Sequence, residues 1–234
     1  VNNGALIISR SNALTVASAI SGTGTLTKEG TGTTTLTGTN TYSGTTTISA
    51  GTLQVGAGAT GTLGTGAVIN NGGLTINRSN ALTVSNDISG TGTLNKGGTG
   101  TTTLLRTNTY SGTSTISAGT LQVGNGGTAG TLGSGNITNS AALVLNRSDA
   151  VNYAGVISGT GTLTQAGTGT TTLTGTNTYS GTTTISAGTL RVGNGSATGQ
   201  LGTGAVDNNA ALVLNRSTAL TVAGVISGTG TVTH

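Results

Sequence analysis

Residues 34–56 read Thr34-Thr-Leu-Thr-Gly-Thr-Asn-Thr-Tyr-Ser-Gly-Thr-Thr-Thr-Ile-Ser-Ala-Gly-Thr-Leu-Gln-Val-Gly56, and this stretch decides the fold. It returns at residues 171–193 with a single change, Gln54 to Arg191, and at residues 102–124 with three changes. The period is roughly 68 to 69 residues, and self-similarity at such a period predicts a repeat architecture in which each unit packs against its neighbours in the sequence.

Short apolar runs with a period of two residues fill each unit. Leu74-Thr-Ile76 and Leu82-Thr-Val84 are examples, and Gly, Asn and Ser residues bound them. Such alternation between turn residues is typical of β-strands, and no window has the period of a helix. About nine strands fit in one unit, which predicts an all-β right-handed parallel β-helix, or β-solenoid, with about three coils of roughly 20 to 25 residues per repeat.

The Gly- and Thr-rich composition leaves a disordered linker as the alternative. A linker needs no recurring apolar positions, whereas a folded core does. Four apolar residues of the first unit return in the second, where Leu26, Leu36, Ile48 and Leu53 become Leu94, Leu104, Ile116 and Leu121. This recurrence favours a folded chain.

The composition also argues against several classes of function. Charged residues make up 5% of the chain, and its eight Lys and Arg residues are spread along the sequence, so we expect no nucleic-acid partner. The chain has no Cys and a single His, which excludes disulfides and argues against a transition-metal site. No apolar run approaches the ~20 residues that a membrane-spanning helix needs.

The string from Gly22 to Lys28, followed by residues 32–55, closely resembles the autotransporter-associated β-strand repeat. Three full copies and the opening of a fourth, from Ile226 to His234, cover most of the chain. The resemblance implies the passenger region of a secreted bacterial surface protein, folded as a right-handed parallel β-helix. It also implies an extracellular location at the bacterial outer-membrane surface and anchoring through a membrane β-barrel that is absent from this segment. The repeat of that family has no catalytic residues of its own.

The ends of the chain lie inside repeat units. Val1-Asn-Asn-Gly4 corresponds to Ile69-Asn-Asn-Gly72, and His234 takes the place of Lys28 and its equivalents. We therefore expect residues 1–234 to form a single β-solenoid segment, a fragment of a longer repeat array.

The acidic residues do not form a recurring set, and they are Glu29, Asp87, Asp149 and Asp207. Glycoside hydrolysis, which other β-helices perform, needs two carboxylates at a fixed separation. The intervals between successive Asp residues are not whole numbers of ~23-residue coils, so stacking is not expected to join them. A recurring Asp pattern for calcium is also missing. We expect no enzymatic activity and no cofactor.

Two recurring sets of side chains are the candidate binding residues. The first set would form a column along one edge, three coils apart, and consists of Arg10, Arg78, Arg147 and Arg216. The second set consists of Tyr42, Tyr110 and Tyr179. An Arg column could bind acidic polysaccharide and a Tyr set could stack on sugars, but capping of turn carbonyls by Arg and covering of the core by Tyr are the commoner uses.

The leading hypothesis for function is a structural stalk or display scaffold that projects an adhesin or another module from the cell. The first alternative is an adhesin module that binds glycans of a host or biofilm surface. The second is a self-assembling extracellular filament, because solenoid ends expose unpaired strand edges. An ice-binding Thr face is a further idea, but with ~23-residue coils Thr25 is followed by Ile48 and Thr47 by Asn70, which breaks the array.

Overall fold

The computed structural model describes all residues, 1–234, as a β-solenoid of about 11 turns with parallel sheets and no helix. The predicted fold class is therefore confirmed. The 26 strands, in chain order, are β1 (Ala5–Ser9), β2 (Leu14–Val16), β3 (Thr25–Glu29), β4 (Thr33–Leu36), β5 (Thr46–Ile48), β6 (Thr52–Gly58), β7 (Val68–Asn70), β8 (Gly73–Arg78), β9 (Leu82–Val84), β10 (Ile88–Ser89), β11 (Thr93–Lys96), β12 (Thr101–Leu104), β13 (Ser114–Ile116), β14 (Thr120–Val123), β15 (Ile137–Asn139), β16 (Ala142–Leu145), β17 (Val151–Tyr153), β18 (Ile157–Ser158), β19 (Thr162–Gln165), β20 (Thr170–Leu173), β21 (Thr183–Ile185), β22 (Thr189–Val192), β23 (Val206–Asn208), β24 (Ala211–Leu214), β25 (Ile226–Ser227) and β26 (Thr231–Thr233).

The strands form four parallel sheets that run along the rod. Sheet 1 has the order β1-β3-β5-β7-β10, and sheet 2 has β2-β4-β6-β8-β11-β13-β15-β18. Sheet 3 has the order β9-β12-β14-β16-β19-β21-β23-β25, and sheet 4 has β17-β20-β22-β24-β26. Sheet 4 continues the face of sheet 1, because two intervening turns extend its ladder with bonds from the Thr109 amide to the Ile88 carbonyl and from the Ser134 amide to the Tyr110 carbonyl.

One turn of the solenoid is shorter than the middle of the expected range. Leu6 pairs with Leu26, and Leu26 pairs in turn with Thr46, which gives a turn of about 20 residues, close to the lower limit for solenoid repeats. The separation of paired residues ranges from 19, as between strands β4 and β6, to 23, as between strands β13 and β15. A repeat of about 69 residues therefore makes three complete turns and about a third of a fourth.

The extra third of a turn moves each repeat onto the next face of the rod. Leu26 lies in sheet 1, its equivalent Leu94 in sheet 2 and the next equivalent Leu163 in sheet 3. The repeat is thus a screw element, and no residue of one unit stacks directly on its equivalent in the next.

The core is narrow and continuous. It is a single cluster of 35 buried residues, all of them Leu, Ile or Val apart from four Tyr. Side chains alternate along each strand, so that Leu53 and Val55 of β6 point inward while Thr52 and Gln54 between them are half-buried on the outside. Because each turn covers the one before it, burial continues from Ile8 to Leu212 without a separate domain core.

Glycine allows the tight corner that precedes each of β6, β14 and β22. Gly51, Gly119 and Gly188 have φ of 64°, 65° and 61°, in the left-handed region. A Cβ at Gly119 would also lie 2.5 Å from the Gly100 carbonyl oxygen of the preceding turn. None of the elements is a helix long and apolar enough to cross a membrane.

Candidate functional site

Three of the four candidate arginines hold the Gly-rich loop of the preceding turn, whereas Arg10 donates only to Asn12 Oδ1, at 2.9 Å. Arg78 donates from Nη1 to the Gly61 carbonyl oxygen at 2.5 Å, and from Nε and Nη2 to Asn80 Oδ1 at 3.0 and 2.7 Å. The same two kinds of bond recur at Arg147, with Gly130 and Asp149, and at Arg216, with Gly199 and Thr218. These bonds agree with the capping of turn carbonyls that the sequence analysis gave as the commoner use of Arg. The planar guanidinium donates to carbonyl oxygens that no neighbouring strand reaches.

The arginines do not form the predicted column. Arg10 follows β1 in sheet 1, Arg78 ends β8 in sheet 2, Arg147 follows β16 in sheet 3 and Arg216 follows β24 in sheet 4. The prediction of a single edge is wrong, because a repeat does not contain a whole number of turns. A binding role for the individual arginines stays a prediction.

The three recurring tyrosines lie inside the rod. Tyr42, Tyr110 and Tyr179 are fully buried, and the Tyr110 hydroxyl makes a 2.7 Å hydrogen bond with Ser114 Oγ. Thr46 and Thr183 accept or donate the equivalent bonds of the other two. The interpretation of these rings as sugar-stacking platforms is wrong, since they have no exposed face. Burial raises the pKa of all three phenols.

A set of asparagines that the sequence did not single out ties three successive turns together. Asn40 accepts from the Ile20 amide at Oδ1 (2.8 Å) and donates from Nδ2 to the Thr62 carbonyl oxygen (2.6 Å). Asn108 and Asn177 repeat both bonds. The recurring Asn-Thr-Tyr-Ser-Gly string marks these asparagines in the sequence. Which residues of the neighbouring turns they bond could not be predicted without the length of a turn.

Each of the first three units also places one polar side chain in the core at the same position. Lys28 is fully buried, and its Nζ donates to the carbonyl oxygens of Gly30 at 2.8 Å and Ala50 at 3.2 Å. Lys96 bonds Gly98 and Ala118, and Gln165 bonds Gly167 and Gly169. Burial lowers the pKa of both lysines, although their ammonium groups lie among turn carbonyls at a corner of the rod.

The acidic residues occupy separate positions. Asp149 is held by Arg147, whose hydrogen bonds lower the pKa of the carboxyl group. At the actual turn length Asp149 does lie three turns beyond Asp87, so the spacing argument fails for this pair. Three turns still separate them by about 14 Å along the rod at the strand spacing of a sheet. No group of three or more His, Cys, Asp or Glu side chains could hold a metal ion.

The outward Thr side chains also align from one turn to the next better than a ~23-residue coil predicted. Thr25 is followed on the next turn by Thr45, and Thr27 pairs with Thr47, although Thr47 then pairs with Ile69. The assumption of ~23-residue coils, and with it the expected break after Thr25, is wrong. Ice binding itself stays an untested idea.

Two equivalent cavities lie where the ladder of one face is interrupted. The first, of about 380 Å³, separates residues 62–65 from the start of sheet 3 at Leu82. The second, of about 400 Å³, separates residues 131–134 from the start of sheet 4 at Val151. No backbone hydrogen bond crosses either gap. We call them the Asn86 notch and the Tyr153 notch after residues that line them.

A side chain bridges the first notch but not the second. At the first, Asn86 Nδ2 donates to the carbonyl oxygens of Gly64 and Gly66 at 2.8 and 2.7 Å. At the second, Gly155 stands in place of Asn86 and has no side chain to make such bonds. Tyr153 stands there in place of Val84.

Comparison with known proteins agrees with the repeat. A family model described as the passenger-associated-transport-repeat matches residues 26–55, 94–123 and 163–192, which span β3 to β6 and their equivalents in the next two units. A stretch of 54 residues, 23% of this chain, is 44% identical to the adhesin BmaC autotransporter of Brucella suis biovar 1 (strain 1330), and covers 2% of that protein's length. No solved structure matches the chain.

The chain is therefore a β-solenoid, the fold that the predicted resemblance implies. It carries three passenger-associated transport repeats, which confirms the predicted resemblance. The passenger family that this repeat characterises consists of secreted proteins exposed at the cell surface.

Proposed function

We propose that this chain is a structural stalk at the bacterial outer-membrane surface, which holds other parts of a longer protein away from the cell and performs no catalysis itself. The observation that supports this best is the stacking of about 11 turns over a single core of 35 residues. About 11 turns at the strand spacing of a sheet give a rod on the order of 50 Å long.

Side-chain bonds between turns add stiffness to the proposed stalk. Asn40 and its equivalents join three turns, and Arg78, Arg147 and Arg216 hold the Gly-rich loops. Because these bonds recur with the repeat, adding units should lengthen the rod without adding a new kind of interface.

The stalk is tested by small-angle scattering from the isolated chain and from a chain with one more unit. We expect a rod that grows by about 16 Å for the added 3⅓ turns, at an unchanged cross-section. A flexible chain, or a particle that grows in cross-section, would contradict the proposal.

Adhesion is the second candidate, because the relative with a matching stretch bears the name of an adhesin. In this version the segment itself contacts glycans of a host or biofilm surface. Purified chain should then compete with adhesion of the cells that display it, whereas a pure stalk should have no effect. End-to-end self-association is a separate proposal, and light scattering over a range of protein concentrations tests it.

A further inference from the structure

We propose that the Asn86 notch binds one acidic sugar residue of a polysaccharide, a hexuronate, whose carboxylate pairs with Arg106. This inference goes beyond the stalk function, which the rod can perform with or without such a site. It begins with the departure of Arg106 from the pattern of the repeat. The equivalent residues of the first and third units are Gly38 and Gly175, so this corner of the solenoid does not need a side chain.

A side chain at this position is also difficult to place. A Cβ at Gly38 would lie 2.8 Å from the Ala19 amide nitrogen, and a Cβ at Gly175 would lie 2.5 Å from the Gly155 carbonyl oxygen. At such distances the neighbouring backbone must shift. The second unit therefore accommodates an arginine that the packing of the rod does not call for.

The guanidinium of Arg106 is free to bind a ligand. Arg106 is exposed, and its one hydrogen bond joins Nε to the carbonyl oxygen of Ser85 at 3.4 Å, which lays the side chain across one wall of the notch. Nη1 and Nη2 have no partner. The single salt bridge of the chain joins Arg147 to Asp149, so no carboxylate neutralises the charge of Arg106.

The remaining exposed residues of the notch lining all carry hydroxyl groups. They are Thr39, Thr65, Thr83 and Ser85, and none of these hydroxyls makes a hydrogen bond within the chain. A hydroxyl can donate to a carboxylate oxygen and can also accept from a hydroxyl of a sugar. The cavity volume of about 380 Å³ lies within the range of small-ligand pockets.

These groups together match an acidic sugar. A planar guanidinium binds a carboxylate through two parallel N–H···O bonds, which gives both direction and strength. The ring hydroxyls of a hexuronate can then bond the exposed Thr and Ser side chains. Asp87 is the acidic residue nearest to the notch lining in the sequence, and its negative charge should weaken the binding without preventing it.

The Tyr153 notch serves as an internal comparison. Gly175 and Ala154 stand there in place of Arg106 and Ser85. Its one charged lining residue is Arg147, which Asp149 already holds with hydrogen bonds of 2.8 and 2.6 Å. We therefore expect the chain to bind one acidic sugar residue, at the Asn86 notch alone.

The test is titration of the whole chain with glucuronate and galacturonate at millimolar concentrations and low salt, followed by ligand-observed NMR. Glucose and galactose are the neutral counterparts. At least one hexuronate should bind with a stoichiometry of one, and its neutral counterpart should bind about tenfold more weakly because it lacks the charge-assisted bonds. Added sodium chloride should weaken the binding, since it screens an exposed charge.

Variants assign the binding to Arg106. Arg106→Gln keeps a long polar side chain without the charge, and Arg106→Gly restores the residue of the other units, so each should lower the affinity by about tenfold. The matched control is Arg191→Gln, which removes another arginine without an acidic partner and restores the residue of the first two units. It should bind as the unchanged chain does, and Asp87→Asn should bind more tightly. Circular dichroism verifies that each variant is folded.

Failure of both hexuronates to bind would overturn the proposal, and so would an equal affinity of Arg106→Gln and Arg191→Gln. Equal binding of acetate or sulfate would also overturn it, because the notch would then recognise a charge without the sugar. The scattering experiment on the stalk is independent of all these outcomes.

Discussion

The Tyr110 hydroxyl and Ser114 Oγ lie 2.7 Å apart in the interior of the rod, joined by a hydrogen bond between near neighbours in the sequence. The bond links an irregular segment to the first residue of β13, across a corner of the solenoid. Because Thr46 and Thr183 make the same bond with their tyrosines, each unit fixes one corner in this way.

Ser114→Ala should destabilise the chain by about 1–3 kcal/mol, since it leaves the Tyr110 hydroxyl buried without a partner. The double variant Tyr110→Phe with Ser114→Ala removes both polar groups and should recover part of that loss. Tyr153→Phe is the matched control, because its hydroxyl has no partner to lose and the free energy of unfolding should stay the same or rise. Denaturant unfolding monitored by circular dichroism measures all three. An equal loss in Ser114→Ala and in the double variant would show that the unpaired Tyr110 hydroxyl does not destabilise the chain.

Alkaline pH should unfold the rod cooperatively. Burial raises the pKa of Tyr42, Tyr110 and Tyr179, and raises that of Tyr153 well above its ordinary value. The unfolded chain therefore loses phenol protons at a lower pH than the folded chain, so stability is complete below the unfolded pKa of about 10 and falls as the pH rises beyond it.

Phenolate absorbance in the near ultraviolet tests this during a pH titration. We expect no phenolate signal near the ordinary pKa of tyrosine, followed by a single step that coincides with loss of the β-sheet circular-dichroism signal. The chain in denaturant provides the reference titration. Gradual ionisation of a folded chain, beginning near the reference pKa, would mean that the rings are accessible to water.

Lys96→Gln should leave the free energy of unfolding nearly unchanged. Gln165 occupies the equivalent place in the next unit and donates to the carbonyl oxygens of Gly167 and Gly169 at 2.8 and 3.3 Å. An amide at this position therefore bonds two turn carbonyls without burying a charge, and one of them, that of Gly167, is the equivalent of Gly98. Lys96→Met, which fills the same space without a donor, should cost about 1–3 kcal/mol because the carbonyls of Gly98 and Ala118 lose their partner. Thermal unfolding compares the two variants, and equal stability of both would show that the carbonyls need no donor.

The strands and the core could be predicted from the sequence, whereas the pitch of the solenoid could not. Alternation such as Leu74-Thr-Ile76 identifies which side chains point inward, because a strand has a period of two. The length of a turn is set by how many residues the corners take, and the corners here are Gly-rich segments without a pattern of their own. The repeat distance of about 69 residues suggested three whole turns, yet the chain completes a further third.

The same limit explains the errors at the candidate sites. The assignment of Arg10 and Arg78 to one edge depended on the number of residues in a turn. The expected break in the Thr array depended on the same number. The capping role of Arg78 and the buried position of Tyr110 followed from residue chemistry and were available as alternatives. The Tyr153 notch was not predicted, because replacement of Val84 by Tyr153 reads as one apolar residue for another until the gap in the ladder is seen.

Deletion of one unit, residues 94–162, should leave a stable rod. The deletion joins Thr93 to Leu163, and Leu163 then takes the place of its equivalent Leu94 beside Leu74. Every inward position keeps an equivalent side chain, so the unfolding should stay a single transition at a similar temperature. Small-angle scattering should give a rod shorter by about 16 Å, the height of 3⅓ turns. The carboxy-terminal end should also rotate by a third of a turn relative to the amino-terminal end, which distances between spin labels at Ser11 and Thr218 would report.

Deletion of residues 94–156 is the matched control, because it removes three whole turns: Leu94 pairs with Ser114, Ser114 with Ile137 and Ile137 with Ile157. It joins Thr93 to Ile157, so that the two residues of β18 follow where β11 continued to Lys96. Ile157 then fills the inward place of Leu94, but Gly159 stands where the buried side chain of Lys96 stood beside Ile76. The space left there should make this variant unfold at a lower temperature than the deletion of a whole unit. Equal stability of the two deletions would show that the turn, and not the repeat, is the unit of this fold.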